Sequence, residues 1–309
     1  MRIAVMGTGG VGGYFGAKLA LAGHDVTFIA RGAHLAALRD HGLEVESASG
    51  PMRLPRVQAT ADPAGIAPVD VVMFCVKLWD VESAALAVQP LVKSGGVVVP
   101  FQNGLVAPEI LQRVVGAAHV APGVAYIAAT IRAPGVIAHT GTMARLRVGA
   151  FPGGPLERVE AFAAAGRSAG IAIDVSPDIR RALWEKFCFL SALSGCTSLA
   201  RQPVGVIRAD PDLRATFEGA VSEAWTVGRA QGVPLADDYV RAQMRTLDGL
   251  PAEMKASMLN DLEAGRRLEA PWLSGAVATL AKGAGVAAPV SSVLYAAVKP
   301  YLAGAPRPA

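Results

Sequence analysis

Cysteine is scarce in this chain of 309 residues: Cys75, Cys188 and Cys196 are all there is, each in apolar surroundings. With no CxxC and no Cys/His spacing they form neither a disulfide framework nor a metal site, and they read as inert core thiols of a reducing compartment. Charge is thin as well, at 17% of residues against 52% hydrophobic, with a mean hydropathy of +0.38. Alanine and valine supply much of that apolar content. No stretch of about eighteen apolar residues runs free of charge or glycine, which argues against a membrane span. The N-terminus starts a strand at once and leaves no room for a signal peptide, so the expected location is cytoplasmic. The net charge of +4, from 29 basic and 25 acidic residues, is scattered. No basic run suggests nucleic acid, and the mild positive balance suits small anionic ligands. Internal repeats and low-complexity blocks are lacking, and the five histidines (His24, His34, His41, His119 and His139) have no spacing that points to chemistry. The length allows two domains, each with its own core.

What is present is concentrated first in residues 1–31, MRIAVMGTGGVGGYFGAKLALAGHDVTFIAR. Arg2 to Met6 reads as a strand, Gly7-Thr8-Gly9-Gly10-Val11-Gly12 as a glycine-rich turn, Gly13 to Ala22 as a helix and Asp25 to Ala30 as a second strand. Strand, GxGxxG, helix and strand within one unit is the context that makes this motif a dinucleotide site. Gly7 permits the bend, Gly9 lets backbone amides approach a pyrophosphate, and Gly12 lets helix and strand pack closely. The phosphates would lie at the positive end of the helix dipole. An acidic residue ending the second strand would accept from the ribose 2′-OH of NAD. Arg31 stands there instead and suits the 2′-phosphate of NADPH/NADP+.

Further along, a polar helix spans about His34 to His41, with short strands at Leu43–Val45 and Leu54–Ala59. VDVVMFCV, residues 69–76, is the continuous apolar run of a strand buried on both faces, and Lys77 lies at its carboxyl end, where open α/β sheets bind ligands. A helix over 81–91 leads to another buried strand, 96–101, that stops at Gln102-Asn103-Gly104. A helix (108–114), a strand into 125–130, two antiparallel strands (136–140 and 144–148), a helix (156–168) and a strand (171–175) complete the pattern of a Rossmann-type doubly wound sheet. After Ser176-Pro177 every segment reads as helix: 180–198, 210–231, 236–247, 251–263, 270–283 and 290–301, with Gly232, Gly265 and Gly285 where C-caps belong. The expected organisation is a cofactor domain over 1–176 and an all-helical domain over 177–309, with a frayed tail from Ala303 and a substrate in the cleft between the domains.

Reduction of a ketone needs a proton donor near the carbonyl oxygen and a hold on the substrate's anion. Lys186 sits among Trp184, Phe187 and Phe189. A lysine in such a setting either snorkels to the surface or is desolvated enough to give up its proton. Glu269, at the start of a helix, is either a dipole partner or the group that holds and orients that lysine. Asn103, between a buried strand and Gly104, is either a turn asparagine or a bridge between nicotinamide and substrate. Ser257 is a further polar candidate on the preceding helix.

GTGGVGGYFGAKLALAGHDVTFIAR, VKLWD, FQNGL, LWEKF and SMLNDLEAGRRLE occur in this order and spacing. Together they resemble the ketopantoate reductase family over about residues 1 to 300. The resemblance implies reduction of the 2-oxo acid 2-dehydropantoate to (R)-pantoate with NADPH. It implies that Gly7, Thr8, Gly9, Gly10, Val11, Gly12, Arg31, Lys77 and the strand end at Ala128-Ala129 hold the cofactor, and that Asn103 touches cofactor and substrate. Lys186 would be the general acid, Glu269 would assist it and contact the cofactor, and Ser257 would bind the substrate's carboxylate end. Leu190 and Ser194 follow Lys186 along one helix face and fall where family members carry substrate-gripping asparagines. Met254 and Val204 fall on two further such positions. An apolar lining of this kind also admits two alternatives, a reductase of a more apolar 2-oxo acid and a non-catalytic NADPH-binding redox sensor. By analogy, the helical domains of such enzymes pair into a homodimer.

Overall fold

A computed structural model describes residues 1–305; the last four residues of the tail expected to fray lie outside the described residues. The chain divides into two compact units, Met1–Gln102 with Val106–Ala182, and Asn103–Leu105 with Leu183–Ala309.

In the first unit the order is β1 (Arg2–Met6), α1 (Gly10–Leu21), β2 (Asp25–Ile29), α2 (Gly32–His41), β3 (Leu43–Ser47), β4 (Met52–Leu54), β5 (Gln58–Thr60), β6 (Val71–Phe74), α3 (Val81–Val92), β7 (Val97–Pro100), α4 (Val106–Val115), β8 (Gly123–Ala133), β9 (Val136–Val148), α5 (Leu156–Ser168) and β10 (Ala172–Val175). A parallel sheet runs β5-β2-β1-β6-β7. All four residues of both β6 (VVMF) and β7 (VVVP) are buried, as the unbroken apolar runs require of strands covered on both faces.

The doubly wound pattern does not continue through residues 123–175. Those strands form a second, mixed sheet, β10-β9-β3-β4, with β8 paired to β9. Residues 136–140 and 144–148, expected as two strands, are one strand of 13 residues, β9, antiparallel to the 11-residue β8. Gly141 (φ +73) lies in a break of this ladder, where residues 140–143 of β9 face the single residue Ala128 of β8, and a second register shift falls at Ile131/Ala133. The expected strand 54–59 is also corrected. Pro55 interrupts it, leaving β4 antiparallel to β3 in the second sheet and β5 parallel to β2 in the first.

α1 lies between the two sheets, touching β1 and β2 on one side and β3, β4, β8 and β9 on the other. That explains its poor amphipathicity and its glycines. Gly12 and Gly16 face Val5, Phe28 and the Gly7 carbonyl; a Cβ would come within 2.3 Å and 2.7 Å of these groups. Gly10 and Gly13 face the second sheet, where a Cβ would come 2.0 Å from the Ala129 oxygen and 2.7 Å from Ile137. Spacings of four and three residues place the two pairs on different faces of the helix.

The second unit is helical: α6 (Ile179–Ala200, whose first turn belongs to the first unit), α7 (Val204–Ala209), α8 (Pro211–Ala230), α9 (Tyr239–Gly249), α10 (Ser257–Glu263), α11 (Ser274–Ala284) and α12 (Pro289–Val298). Asp210 caps α8, accepting from the amides of Asp212 (3.0 Å) and Leu213 (2.9 Å), ahead of Pro211 at the first helical position. Glu223 of α8 accepts from the amides of Val290 and Ser291, both at 2.7 Å, and so fastens α8 to the start of α12. Trp184, Phe187, Phe217, Val221 and Leu294 anchor the core, each worth roughly 1.5–3 kcal/mol in burial. Two expected helices start later than expected. Residues 251–256 stay outside α10, and Pro271 lies in a 3₁₀ turn, Ala270–Trp272, ahead of α11. α7, only six residues long, gave no periodic signal.

Candidate active site

The glycine-rich turn follows the carboxyl end of β1. The amides of Gly7 (3.2 Å) and Thr8 (3.1 Å) donate to the Ile29 carbonyl, as does the buried Thr8 hydroxyl at 3.0 Å. Thr8 is therefore turned inward as a fastener between β1 and β2. The ligand-facing groups are those that follow it. A Cβ on Gly9 would meet nothing within 4 Å, so the space a phosphate needs beside this backbone is open. Gly10, Val11 and Gly12 form the first turn of α1, where helix geometry leaves amides without intrahelical acceptors. Gly7 itself (φ +96) has room for no side chain, since a Cβ would lie 2.8 Å from the backbone of Cys75 and Val76.

Arg31 is exposed at the N-cap of α2, in extended conformation two residues beyond the carboxyl end of β2. Lys77 is exposed just past β6, its ammonium 5.6 Å from the Trp79 ring centroid. The carbonyl of Ala129 presses on Gly10 from the second sheet. These residues and this turn fit a dinucleotide diphosphate carrying a further phosphate on its ribose: open backbone amides, then a cation at the end of β2.

In the second unit three distant segments converge. Lys186 Nζ donates to Asn103 Oδ1 at 2.9 Å. Burial pushes the Lys186 ammonium down to about 8, and the opposing charge of Glu269 holds it from falling further. Glu269 is buried, at the N-cap of the 3₁₀ turn Ala270–Trp272. Gly104 (φ +81) explains how Asn103 reaches this place. A side chain at residue 104 would lie 2.8 Å from the Trp272 carbonyl, so only glycine lets the Asn103 loop approach the turn that carries Glu269. Lys186 itself is fixed by the aromatic packing of its helix, with Trp184 and Phe187 edge to face at 5.4 Å.

The remaining candidates are placed as follows. Leu190, one helical turn after Lys186, is half-buried and packs against a cluster that includes Met258, Leu268 and Ala270, the sequence neighbours of Ser257 and Glu269. Ser194 is 1% exposed, and its hydroxyl has no hydrogen-bond partner among the described residues. Ser257 opens α10 and is exposed. Val204 and Met254 are brought together by a backbone bond, Val204 N to Met254 O at 2.9 Å. Sequence reasoning passed over Gln102. Its amide donates to the carbonyls of Phe74 and Val76, both at 3.0 Å, and ties the end of β7 to the segment that leads to Lys77. The available signal was a polar residue closing an apolar strand.

A buried ammonium poised near neutrality, bonded to an amide oxygen and faced by a carboxylate, can donate a proton to an oxygen that gains charge. Among the described residues no group of His, Cys, Asp and Glu has the arrangement of a metal site, and no helix is long and apolar enough to cross a membrane.

Comparison with known proteins bears on this arrangement. The sequence profile of the family described as ketopantoate reductase PanE/ApbA matches residues 3–153, and that of its C-terminal domain matches residues 178–302. Among curated relatives, an uncharacterised oxidoreductase, YkpB, of Bacillus subtilis is 32% identical, covering 97% of this chain and 99% of its own. A 2-dehydropantoate 2-reductase of Halobacterium salinarum is also 32% identical, covering 95% and 96%. The crystal structure of 2-dehydropantoate 2-reductase from Geobacter metallireducens aligns with a TM-score of 0.91 at 32% identity, covering 97% of this chain and 99% of that one.

Proposed function

Since the chain belongs to the ketopantoate reductase family, NADP-dependent oxidoreductases acting on CH–OH groups, we propose that it reduces 2-dehydropantoate to (R)-pantoate with Lys186 as general acid. The observation that carries this reading is the Lys186 ammonium, desolvated to a value of about 8, bonded to Asn103 and faced by Glu269. NADPH supplies the hydride. In our reading Gly7, Gly9, Gly10, Val11 and Gly12 shape the pyrophosphate site, and Arg31 pairs with the 2′-phosphate. Lys77, Asn103 and Ala129 line the remainder, and the first unit is the cofactor domain. Lys186 gives its proton to the substrate's carbonyl oxygen as that oxygen becomes a hydroxyl, and recovers one from solvent. Asn103 aims the ammonium, Glu269 keeps it protonated near neutral pH, and Ser257 takes the substrate's carboxylate end. The three free cysteines support a reducing, cytoplasmic setting.

One observation favours a second reading of the substrate. Leu190 and its apolar neighbours offer nothing to bond a substrate hydroxyl on that side of Lys186, as reduction of a more apolar 2-oxo acid would require. Ser194, with its unpartnered hydroxyl, is the polar group left on that helix face. NADPH oxidation with 2-dehydropantoate and with branched apolar 2-oxo acids separates the two readings. On the better substrate, Lys186→Ala is expected to lower kcat by about 10²–10⁴. Near-normal kcat in that variant overturns the assignment of the general acid.

A further inference from the structure

β8 meets the first turn of α1. Ala129 borders a register shift in the β8–β9 ladder, where residues 140–143 of β9 bulge opposite Ala128, and its carbonyl oxygen lies 2.0 Å from where a Cβ of Gly10 would be. A bulge bends and twists the ladder locally, and one beside the strand that meets the first turn of a phosphate-binding helix bears on where that turn sits. Ala129 is paired across the ladder with His139, which is 6% exposed. His139 Nε2 faces the Met143 carbonyl at 3.1 Å, and Nδ1 lies 2.8 Å from Ser47 Oγ on β3. A carbonyl only accepts, so Nε2 carries the proton and Nδ1 accepts from the Ser47 hydroxyl. Ser47 Oγ accepts in turn from the Ser49 amide at 3.1 Å and bonds the hydroxyl of Tyr14, whose ring is 4.7 Å from that of His139. Tyr14 lies one turn after Gly10 on α1. The chain of bonds thus starts on the helix, crosses β3 and ends on β9, where His139 reaches across the bulge to Met143 and is paired with Ala129. Ser47 has one proton, given to His139, and its oxygen serves the other two partners, so the three elements α1, β3 and β9 are tied at one point.

We propose that His139, with Ser47 and Tyr14, is a positioning residue for NADPH: it holds the β9 bulge, and with it Ala129, its partner across the ladder, against Gly10, and so fixes the phosphate-binding turn. The proposal rests on the NADPH reading above. It concerns cofactor affinity and leaves the proton-transfer centre alone. The test is the NADPH Kd by fluorescence, with KM for NADPH, kcat and Tm, on the full chain. His139→Ala is expected to raise Kd and KM about tenfold with kcat within about twofold, since loss of the clamp acts on binding. His139→Asn, which keeps an acceptor at the position of Nδ1, is expected to restore most of that affinity. Val159→Ala, a core truncation in α5, serves as the control: it is expected to lower Tm while leaving Kd within about twofold. If His139→Ala does not fold, Tyr14→Phe takes its place, with an expected rise in Kd of about threefold. An unchanged Kd in whichever of these two variants folds, or an equal rise in Val159→Ala, overturns the proposal. A wild-type protein that does not bind NADPH at all overturns the functional reading itself, and this proposal with it.

Discussion

The glycine-rich turn and the lysine centre are built on opposite principles. The turn is local: residues 7 to 31 hold the bend, the open amides and the cation, and the glycines at 7, 10, 12, 13 and 16 each answer to a neighbour that a Cβ would strike, whereas Gly9 does not. The lysine centre is assembled from residues 103, 186 and 269, and what each contributes exists only once the helices have packed. The first region works by what its residues omit. The second works by taking a charge out of water and supplying only partial compensation for it.

The largest effect is expected from testing the first principle on two neighbouring glycines. Gly10→Ala forces a methyl into the Ala129 backbone and should weaken NADPH binding by about a hundredfold or more, with a clear loss of Tm. Gly9→Ala meets nothing in the fold, so its Tm should stay close to wild type while NADPH binding falls, because the methyl occupies the space a phosphate needs. Parallel isothermal titration and thermal melts of the two variants check this. Equal loss of Tm would mean that Gly9 is also a packing residue.

Arg31→Ala should act more mildly. A charge-assisted bond to a 2′-phosphate is worth about 1.5–3 kcal/mol, so KM for NADPH should rise roughly 10–100-fold while KM for NADH stays put. The ratio of the two is the readout. An unchanged NADPH preference removes Arg31 from the site.

The same contrast governs what could be read from the residues alone. The parallel strands β1, β2, β6 and β7, the turn and the switch to helices beyond residue 176 carry local signals: unbroken apolar runs, GxGxxG, helical spacing. The second sheet does not, because β3 and β9 are neighbours only through pairings such as Glu44 with Val136, about ninety positions apart. Gly10 and Gly13 look like more of the same motif, yet their constraint comes from Ala129 and Ile137 of that unforeseen sheet. His139 carries no spacing signal, and its partner Ser47 is equally remote. Around Lys186 the aromatic neighbours hinted at desolvation, whereas the bond to Asn103 depends on Gly104 fitting against Trp272, a contact with no sequence signature.

Smallest in size, but most direct, is the pH dependence of kcat/KM in the wild type and in Glu269→Gln. The acid must be protonated, so kcat/KM should be level below about 8 and fall about tenfold per pH unit above it. Glu269 opposes the downward shift of Lys186, so its replacement by Gln should move this alkaline limb to lower pH. A profile that stays level through pH 9.5, or a limb that Glu269→Gln leaves in place, would contradict the account of Lys186 as the proton donor.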